Sequence, residues 1–346
     1  MAYLRSDLWR KRFVALVTGL LSVGLVSCDP TVGPPNANPV NVSLSFSNLP
    51  VLDEATHGTY EAWSIGSDGS IWSAGRFNVT AAGTAEVVSL IDNPEAFMIT
   101  VEPVGDMDDQ PSSQKLLGGM VFGDSAELDI HRYVSPIPLE DKPGTHVLFT
   151  PSDNAALGYP SYEDAGIWLF NISGDTIDGS FYLDFSPLTK GWIYEGWVVR
   201  DYGLPSEVWV SYGKFEPDNF RQANVRDDTG LGPFSGQLDY EKAMPQEIVF
   251  PGDDWVANPY DLPVPGGLTL PFDLNGTIAD GIMSRWTHVI TVEPIFDETE
   301  DPWLAEPFFI KPYRNPIGEG TADEPRTILF FPDELPMGVA RITGPA

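Results

Sequence analysis

The pentapeptide "ITVEP" occurs twice in this chain, at residues 99–103 and 290–294. The surrounding segments also correspond, because "FMITVEPVGDMDDQP" and "HVITVEPIFDETEDP" both continue into acidic residues and a proline nine positions after the glutamate. Alternating side chains before that glutamate predict a β-strand, and the following proline predicts its end, since proline has no N–H for a sheet ladder. The two segments indicate an internal duplication built from strands.

Three motifs upstream of each pentapeptide match between the copies in the same order. They are YEAW (60–63) with YEGW (194–197), SAGRF (73–77) with SYGKF (211–215), and LSFSNLP (44–50) with LDFSPLT (183–189). From the glycine of the second motif to the glutamate of "ITVEP" there are 27 residues in the first copy and 80 in the second. The second copy therefore carries a long, loop-like insertion.

The first copy contains a strong hairpin signal in "YEAWSIGSDGSIWSAGRF", residues 60–77. Two alternating runs flank Asp68 and Gly69, a pair that favours the positive φ angles of a tight hairpin turn. Gly75 stands between a small residue and a cation, and a glycine inside a strand predicts a β-bulge or a close backbone approach.

The whole chain has the same character, with 32 prolines and 33 glycines between short alternating runs and no sustained helical stripe. This profile predicts an all-β fold of two tandem antiparallel β-sandwich domains after a signal peptide and a flexible tether. The predicted segments are a lipoprotein signal peptide (1–28), a Pro/Asn-rich tether (29–41), a first β domain (42–136), a β-rich connector (137–180), a second β domain with the insertion (181–318), and a tail adding late strands (319–346).

The N-terminus has the pattern of an export signal. Three cations at residues 10–12 precede an apolar run at 13–26, which is too short to span a bilayer comfortably. The run ends in "LVSC", which resembles a bacterial lipobox, and Cys28 is the only cysteine in the chain. We therefore expect lipidation at Cys28 and a location in the cell envelope, on the outer membrane or the outer face of the inner membrane.

Charge limits the possible partners. Residues 1–28 contain four basic residues and one acidic residue, so the rest of the chain carries 15 basic and 49 acidic side chains, a net charge of −34. Such a chain repels phosphates, which argues against a nucleic-acid partner. The acidic residues are spread along the sequence, a pattern typical of a solvated surface.

The order "YEAW", "SAGRF", "ITVEP" and an acidic, proline-bearing loop resembles the extracytoplasmic C-terminal domain of the anti-sigma-K factor family. The resemblance covers residues 44–120 well and 183–310 more loosely. Anti-sigma factors of this kind also have a cytoplasmic sigma-binding domain and a transmembrane helix, whereas here only a signal peptide precedes the repeat. The resemblance therefore implies the outer module of such a protein without its sigma-binding function.

Two acidic loops are the candidate metal sites. Their candidate calcium ligands are Asp106, Asp109, Asp297, Glu300 and Asp301. Calcium takes 6–8 oxygen ligands, but neither loop has the spacing of a calcium-binding EF-hand loop, and solvated acidic turns are common. We expect solvent-facing turns and no cofactor, with calcium as the alternative.

Other chemistry has weaker support. Trp255 and Trp303 lie in loops beside acids and are candidates for an exposed sugar-stacking platform. No pair of the four histidines has zinc-site spacing, and no nucleophile motif occurs. Glu102 and Glu293 could be imagined as a glycosidase pair, but equivalent positions of two domains would lie far apart.

The sequence thus favours a non-enzymatic, lipid-anchored binding or sensing protein of the cell envelope. Its expected contacts are the membrane, through the N-terminal lipid, and an envelope protein or glycan. The alternative is a calcium-dependent or glycan-binding surface lipoprotein.

Overall fold

A computed structural model describes residues 38–148, 150, 164–169, 172–173, 176–177, 184–217, 223–226, 251–256, 264–275, 285–295, 306–318 and 324–346. The chain separates into Met1–Pro35 and Asn36–Ala346, and all described residues belong to the second unit. The predicted signal peptide with Cys28 lies outside the described residues, as do the second acidic loop and Trp303.

The all-β prediction is confirmed, because the described residues form strands and two short 3₁₀ turns, Pro265–Gly267 and Pro332–Glu334, and contain no α-helix. The strands are β1 (Val40–Ser47), β2 (Thr59–Ile65), β3 (Ile71–Phe77), β4 (Thr84–Ser89), β5 (Ala96–Glu102), β6 (Lys115–Phe122), β7 (Ser125–Leu128), β8 (Thr145–Leu148), β9 (Gly166–Trp168), β10 (Ile172–Ser173), β11 (Thr176–Ile177), β12 (Trp192–Arg200), β13 (Val208–Pro217), β14 (Ala223–Arg226), β15 (Gly252–Asp254), β16 (Trp286–Pro294), β17 (Ile310–Pro316), β18 (Arg326–Thr327), β19 (Leu329–Phe330) and β20 (Met337–Pro345).

The first copy belongs to an eight-stranded antiparallel sheet in the order β3-β2-β5-β6-β7-β20-β1-β4. Its hairpin turns at Asp68 and Gly69 as predicted, with Gly69 at φ 81° and the Asp68 carboxylate accepting the Ser70 N–H at 3.0 Å. The last strand of the chain, β20, lies inside this sheet between β7 and β1. The C-terminus therefore completes the sheet that the N-terminal strands begin.

The second copy forms the centre of a six-stranded antiparallel sheet in the order β14-β13-β12-β16-β17-β19. A four-stranded sheet, β15-β9-β8-β18, is made from strands before, inside and after this copy. The small strands β10 and β11 pair only with each other among the described strands.

The two copies share one strand register. Matching pairs are Tyr60–Phe77 with Tyr194–Phe215, Glu61–Arg76 with Glu195–Lys214, and Ala62–Gly75 with Gly196–Gly213. A β-bulge follows at the same place in both hairpins, where Gly75 and Gly213 have φ angles of 127° and 109°. These φ values lie in the region that glycine tolerates best, which explains the repeated glycine and bears out the expected bulge.

The upstream motifs correspond in packing but not in strand pairing. Phe46 in β1 stacks on Phe77 with ring centroids 5.8 Å apart, and Phe185 meets Phe215 edge-on at 5.4 Å. The first motif belongs to a sheet, whereas residues 184–189 lie outside any strand. The phenylalanine contact is thus kept while the backbone around it differs.

One hydrophobic cluster runs through both copies, and a buried amide ties their backbones together. Gln114, at the start of β6, is 2% exposed and donates hydrogen bonds to the carbonyls of Ile295 at 2.7 Å and Gly191 at 3.4 Å. The indole of Trp192 donates to the Lys115 carbonyl at 3.0 Å. These hydrogen bonds satisfy the Gln114 amide and the Trp192 indole, which would otherwise be buried without a partner.

We predict that ending the chain after Pro336 prevents folding, because removal of β20 leaves both β1 and β7 without their shared partner and deletes the fully buried Ala340. The measurement is circular dichroism during urea unfolding, where the truncated chain should show no cooperative transition. The variant Arg341→Ser, which changes an exposed side chain in the same strand, should unfold like the wild type. A cooperative transition in the truncated chain would contradict the central role of β20.

Candidate functional site

The repeated "ITVEP" segment forms a chain of hydrogen bonds inside the first sheet. The indole Nε1 of Trp63 donates to Thr100 Oγ1 at 2.8 Å, and that hydroxyl donates to Glu102 Oε1. The carboxylate also accepts the backbone N–H of Ser112 at 3.2 Å. Because Ser112 lies just beyond the acidic loop, the glutamate fixes the point where that loop returns to the sheet.

The second copy repeats this arrangement. Trp197 Nε1 donates to Thr291 Oγ1 at 2.9 Å, and Thr291 donates to Glu293 Oε1. The Glu293 carboxylate accepts the Phe308 N–H at 3.0 and 3.1 Å from its two oxygens. The same relay of indole, hydroxyl, carboxylate and returning backbone therefore occurs once in each sheet.

Burial controls the protonation of these glutamates. Glu102 is 1% exposed and Glu293 is 6% exposed, and burial raises the pKa of both carboxyl groups above the ordinary value. Hydrogen bonds from Thr100 and Thr291 act in the opposite direction. Each carboxyl group accepts a hydroxyl of its own strand and a backbone N–H of the returning loop, which gives each a structural role.

The first acidic loop is anchored by an arginine. Arg76 donates from Nε to Glu61 at 3.0 Å, from Nη2 to the Asp106 carboxylate at 2.5 Å and from Nη1 to the Asp106 carbonyl at 2.7 Å. Asp109 lies exposed on the same loop. Within the described ranges, no group of three or more His, Cys, Asp or Glu residues could hold a metal ion.

One predicted site residue is contradicted by the structure. The proposal of Trp255 as an exposed sugar platform is wrong, because its side chain is fully buried and stacks on Phe272 with ring centroids 5.5 Å apart. Neighbouring acids suggested a surface loop, but Asp253 and Asp254 lie in the buried strand β15. The other predicted candidates, Asp297, Glu300, Asp301 and Trp303, lie outside the described residues.

Sequence spacing did not reveal a buried pair of histidines. His146 and His288, 142 positions apart, are fully buried with their Nδ1 atoms 3.0 Å apart, and the Tyr212 hydroxyl lies 2.9 Å from His288 Nε2. Burial lowers the pKa of His288 to about 3 and that of His146 well below its ordinary value. Electrostatic interaction with His288 and with Arg326 lowers the pKa of His146 further. The two rings therefore join β8 to β16 as a neutral pair.

A groove on the outer face of β6 and β7 has a volume of about 500 Å³. We call it the β6–β7 groove; its lining residues are Gly118, Gly119, Met120, Phe122, Ser125, Glu127, Asp129, His131, Arg132 and Tyr133. Side chains alternate across a strand, so Met120 and Phe122 face outward while Val121 faces the core side. Phe122 is 81% exposed and Met120 is 49% exposed.

One wall of the β6–β7 groove is the turn at residues 130–135. Arg132 has a φ of 70°, which is unusual for a residue with a side chain, and its N–H donates to the Ser135 carbonyl at 2.8 Å. Thr189 of the second copy holds the same turn, donating its N–H to the Val134 carbonyl at 2.9 Å and its hydroxyl to the Tyr133 carbonyl. The wall is therefore fixed by both halves of the molecule.

Two adjacent glycines of β6 let other groups approach the backbone closely at the groove. A Cβ on Gly118 would lie 2.1 Å from the Tyr133 ring, and a Cβ on Gly119 would lie 1.8 Å from the Glu127 carbonyl oxygen. Burial raises the pKa of Tyr133, and the charge of Asp129 raises it further. The phenol is thus a neutral donor near the Asp129 carboxylate. The adjacent glycines of "KLLGGMVF" are the sequence feature that indicates this close packing, since glycine within a strand marks close approach of another group.

Comparisons with known proteins give no match that bears on this geometry. No protein-family model matches the chain, and neither the curated proteins nor the solved structures give a significant match. The resemblance to the anti-sigma-K C-terminal domain therefore stays a prediction from the quoted motifs. No helix in the described part of the chain has the length and apolar character needed to cross a membrane.

We predict that Thr100→Val and Thr291→Val each lower the free energy of unfolding by about 1–3 kcal/mol, because each leaves a buried indole N–H without its acceptor. The two losses should add in the double variant, since the relays share no partner. Urea unfolding at pH 7 is the measurement, and the exposed Thr343→Val serves as the matched control. If either buried variant is as stable as the control, the relay does not stabilise its sheet.

A second prediction concerns pH. Because both buried histidines have lowered pKa values in the fold, the unfolded chain binds more protons below pH 6.5, and the stability they contribute is lost as pH falls below that value. The loss is about 1.4 kcal/mol per pH unit for each histidine. Glu102 and Glu293 act oppositely, since their raised pKa values favour the fold at low pH.

A comparison of variants isolates the histidine contribution. Lowering the pH from 7 to 5 should reduce the free energy of unfolding less in His146→Gln than in the wild type. The exposed His131→Gln should retain the wild-type dependence. Equal pH dependence in all three proteins would show that His146 is not buried neutral.

Proposed function

We propose that this chain is a lipid-anchored, non-enzymatic binding protein of the cell envelope. The β6–β7 groove is the observation that carries the proposal, because an open concavity with exposed aromatic and charged side chains is the usual form of a ligand site. The wall that Thr189 and Ser135 hold in place supports binding, since a preformed site loses less conformational freedom when it binds.

The N-terminal sequence supports the anchoring part of the proposal. "LVSC" ends at the sole cysteine, Cys28, and residues 29–41 have the Pro- and Asn-rich composition of an extended tether. Lipid at Cys28 would hold the folded part outside the cytoplasm at the membrane surface. The groove would then face envelope molecules.

The structural use of the repeated carboxylates supports binding over catalysis. Glu102 and Glu293, the one pair considered for acid–base chemistry, hold the returning ends of their loops. The calcium-dependent alternative has less support than binding at the groove, because Arg76 contacts both the carboxylate and the carbonyl of Asp106.

We predict that Cys28→Ala moves the protein from the membrane fraction to the soluble fraction of the cells that make it, because the variant has no thiol to lipidate. Wild-type protein should also incorporate labelled fatty acid, and the variant should not. Fractionation followed by immunoblotting and fatty-acid labelling are the measurements.

Ser27→Ala is the matched control, since it changes a neighbouring small residue and keeps the cysteine. It should stay in the membrane fraction and take up label. Wild-type protein that takes up no fatty acid would overturn the anchored function.

A further inference from the structure

We propose that the β6–β7 groove binds a neutral carbohydrate, and that the faces of its pyranose rings pack on Phe122 and on Tyr133. This inference rests on the proposed binding function and names the chemical class of its ligand. The observations that carry it are the two aromatic side chains and a set of hydrogen-bonding groups of both kinds around the same concavity.

The aromatic groups supply the apolar part of the recognition. Phe122 is 81% exposed although it is a large apolar residue in a strand with buried neighbours such as Leu117. Tyr133 lies half-buried against Gly118, with one face of its ring covered by the glycine backbone. A pyranose has C–H faces that pack on aromatic rings, and such rings are rigid, amphipathic contact surfaces.

The polar groups match the hydroxyl groups of a sugar. Carboxylates at Glu127 and Asp129 accept hydrogen bonds, while the guanidinium of Arg132 donates them. The neutral phenol of Tyr133 can do either. Sugar hydroxyls donate and accept at adjacent carbons, so a groove with both kinds of group can bind neighbouring hydroxyls together.

Charge selects a neutral sugar over an anionic one. Glu127 and Asp129 face the groove with one permanent cation, Arg132, and the chain beyond residue 28 has a net charge of −34. A phosphate or uronate would meet this field as a like charge. The groove therefore fits an uncharged glycan chain better than an acidic polymer.

The geometry also favours a ligand that is itself rigid. Arg132 is held in a left-handed conformation by the Ser135 carbonyl, and Thr189 binds the carbonyls of Tyr133 and Val134. Backbone held this way at a surface wall is a feature of built sites, because the surrounding structure must enforce it. The groove requires little ordering when a stiff sugar ring enters.

The experiment titrates detergent-solubilised full-length protein with neutral hexasaccharides by isothermal titration calorimetry. The probes are maltohexaose, cellohexaose, mannohexaose and chitohexaose, with hexagalacturonate as the anionic comparison. At least one neutral probe should bind, and hexagalacturonate should bind at least tenfold more weakly. Phe122→Ala and Glu127→Gln should each weaken binding at least tenfold.

Controls separate binding from folding. Phe122 and Glu127 are exposed, so their variants should melt at the wild-type temperature, and Met107→Ala, 92% exposed on another loop, should bind like the wild type. Tyr133→Phe keeps the ring on Gly118 and should lose only the contribution of the hydroxyl. Absence of binding to every neutral probe, or equal binding by the Phe122 and Glu127 variants, would overturn the proposal.

The failure of this inference can be told apart from failure of the proposed function. Fatty-acid labelling at Cys28 without any saccharide binding would leave an anchored protein with another ligand. Saccharide binding without labelling would keep the groove assignment and reject the anchor. Tighter binding of hexagalacturonate than of every neutral probe would reject the ligand class alone.

Discussion

The structure depends on satisfying polar groups in strands that are buried on both faces. Along β2, five consecutive residues are buried, so neither face of this strand meets solvent. A buried indole N–H that lacks an acceptor destabilises a fold by about 1–3 kcal/mol. A relay of hydrogen bonds satisfies these groups. The Trp63 indole donates to Thr100, the Thr100 hydroxyl donates to Glu102, and the Glu102 carboxylate also accepts a backbone N–H. This chain explains why "T-x-E" recurs as a unit, since loss of any member leaves a neighbour unpaired.

The duplication did not produce two independent units in sequence order. β20 begins 43 residues after the second "ITVEP" ends at Pro294 and yet pairs within the sheet of the first copy. Gln114 of the first copy donates to the carbonyls of Gly191 and Ile295, which flank the segment from β12 to β16 in the second copy. Buried amides that bridge two segments act as fixed points, because moving either segment would leave donors or acceptors without partners. The position of the β6–β7 groove wall depends on the same interface through Thr189.

Local chemistry in the sequence predicts part of this architecture. Asp68 and Gly69 define the turn, and Gly75 marks the bulge, because positive φ angles and close approach are properties of single residues and their neighbours. Burial of Trp255 was not predictable in this way, since it arises from stacking on Phe272 across a segment with no local pattern. The His146–His288 contact likewise joins positions 142 residues apart. Long-range pairing is a property of the packed sheets, and neither residue carries a sign of it.

The β6–β7 groove and the histidine pair share a tyrosine–glycine contact, which lies at the surface in the first and in the core in the second. In each, a tyrosine ring lies on a glycine where a side chain would collide with it, Tyr133 on Gly118 and Tyr212 on Gly196. Tyr212 is fully buried, so its hydroxyl needs an internal partner, which His288 supplies at 2.9 Å. Tyr133 lies at the surface of an open groove, where its hydroxyl can be satisfied by water or by a bound molecule. The glycine contact fixes the ring in both places. The Tyr212 ring stabilises a core, whereas the Tyr133 ring presents a rigid aromatic edge to solvent without burying an unpaired hydroxyl.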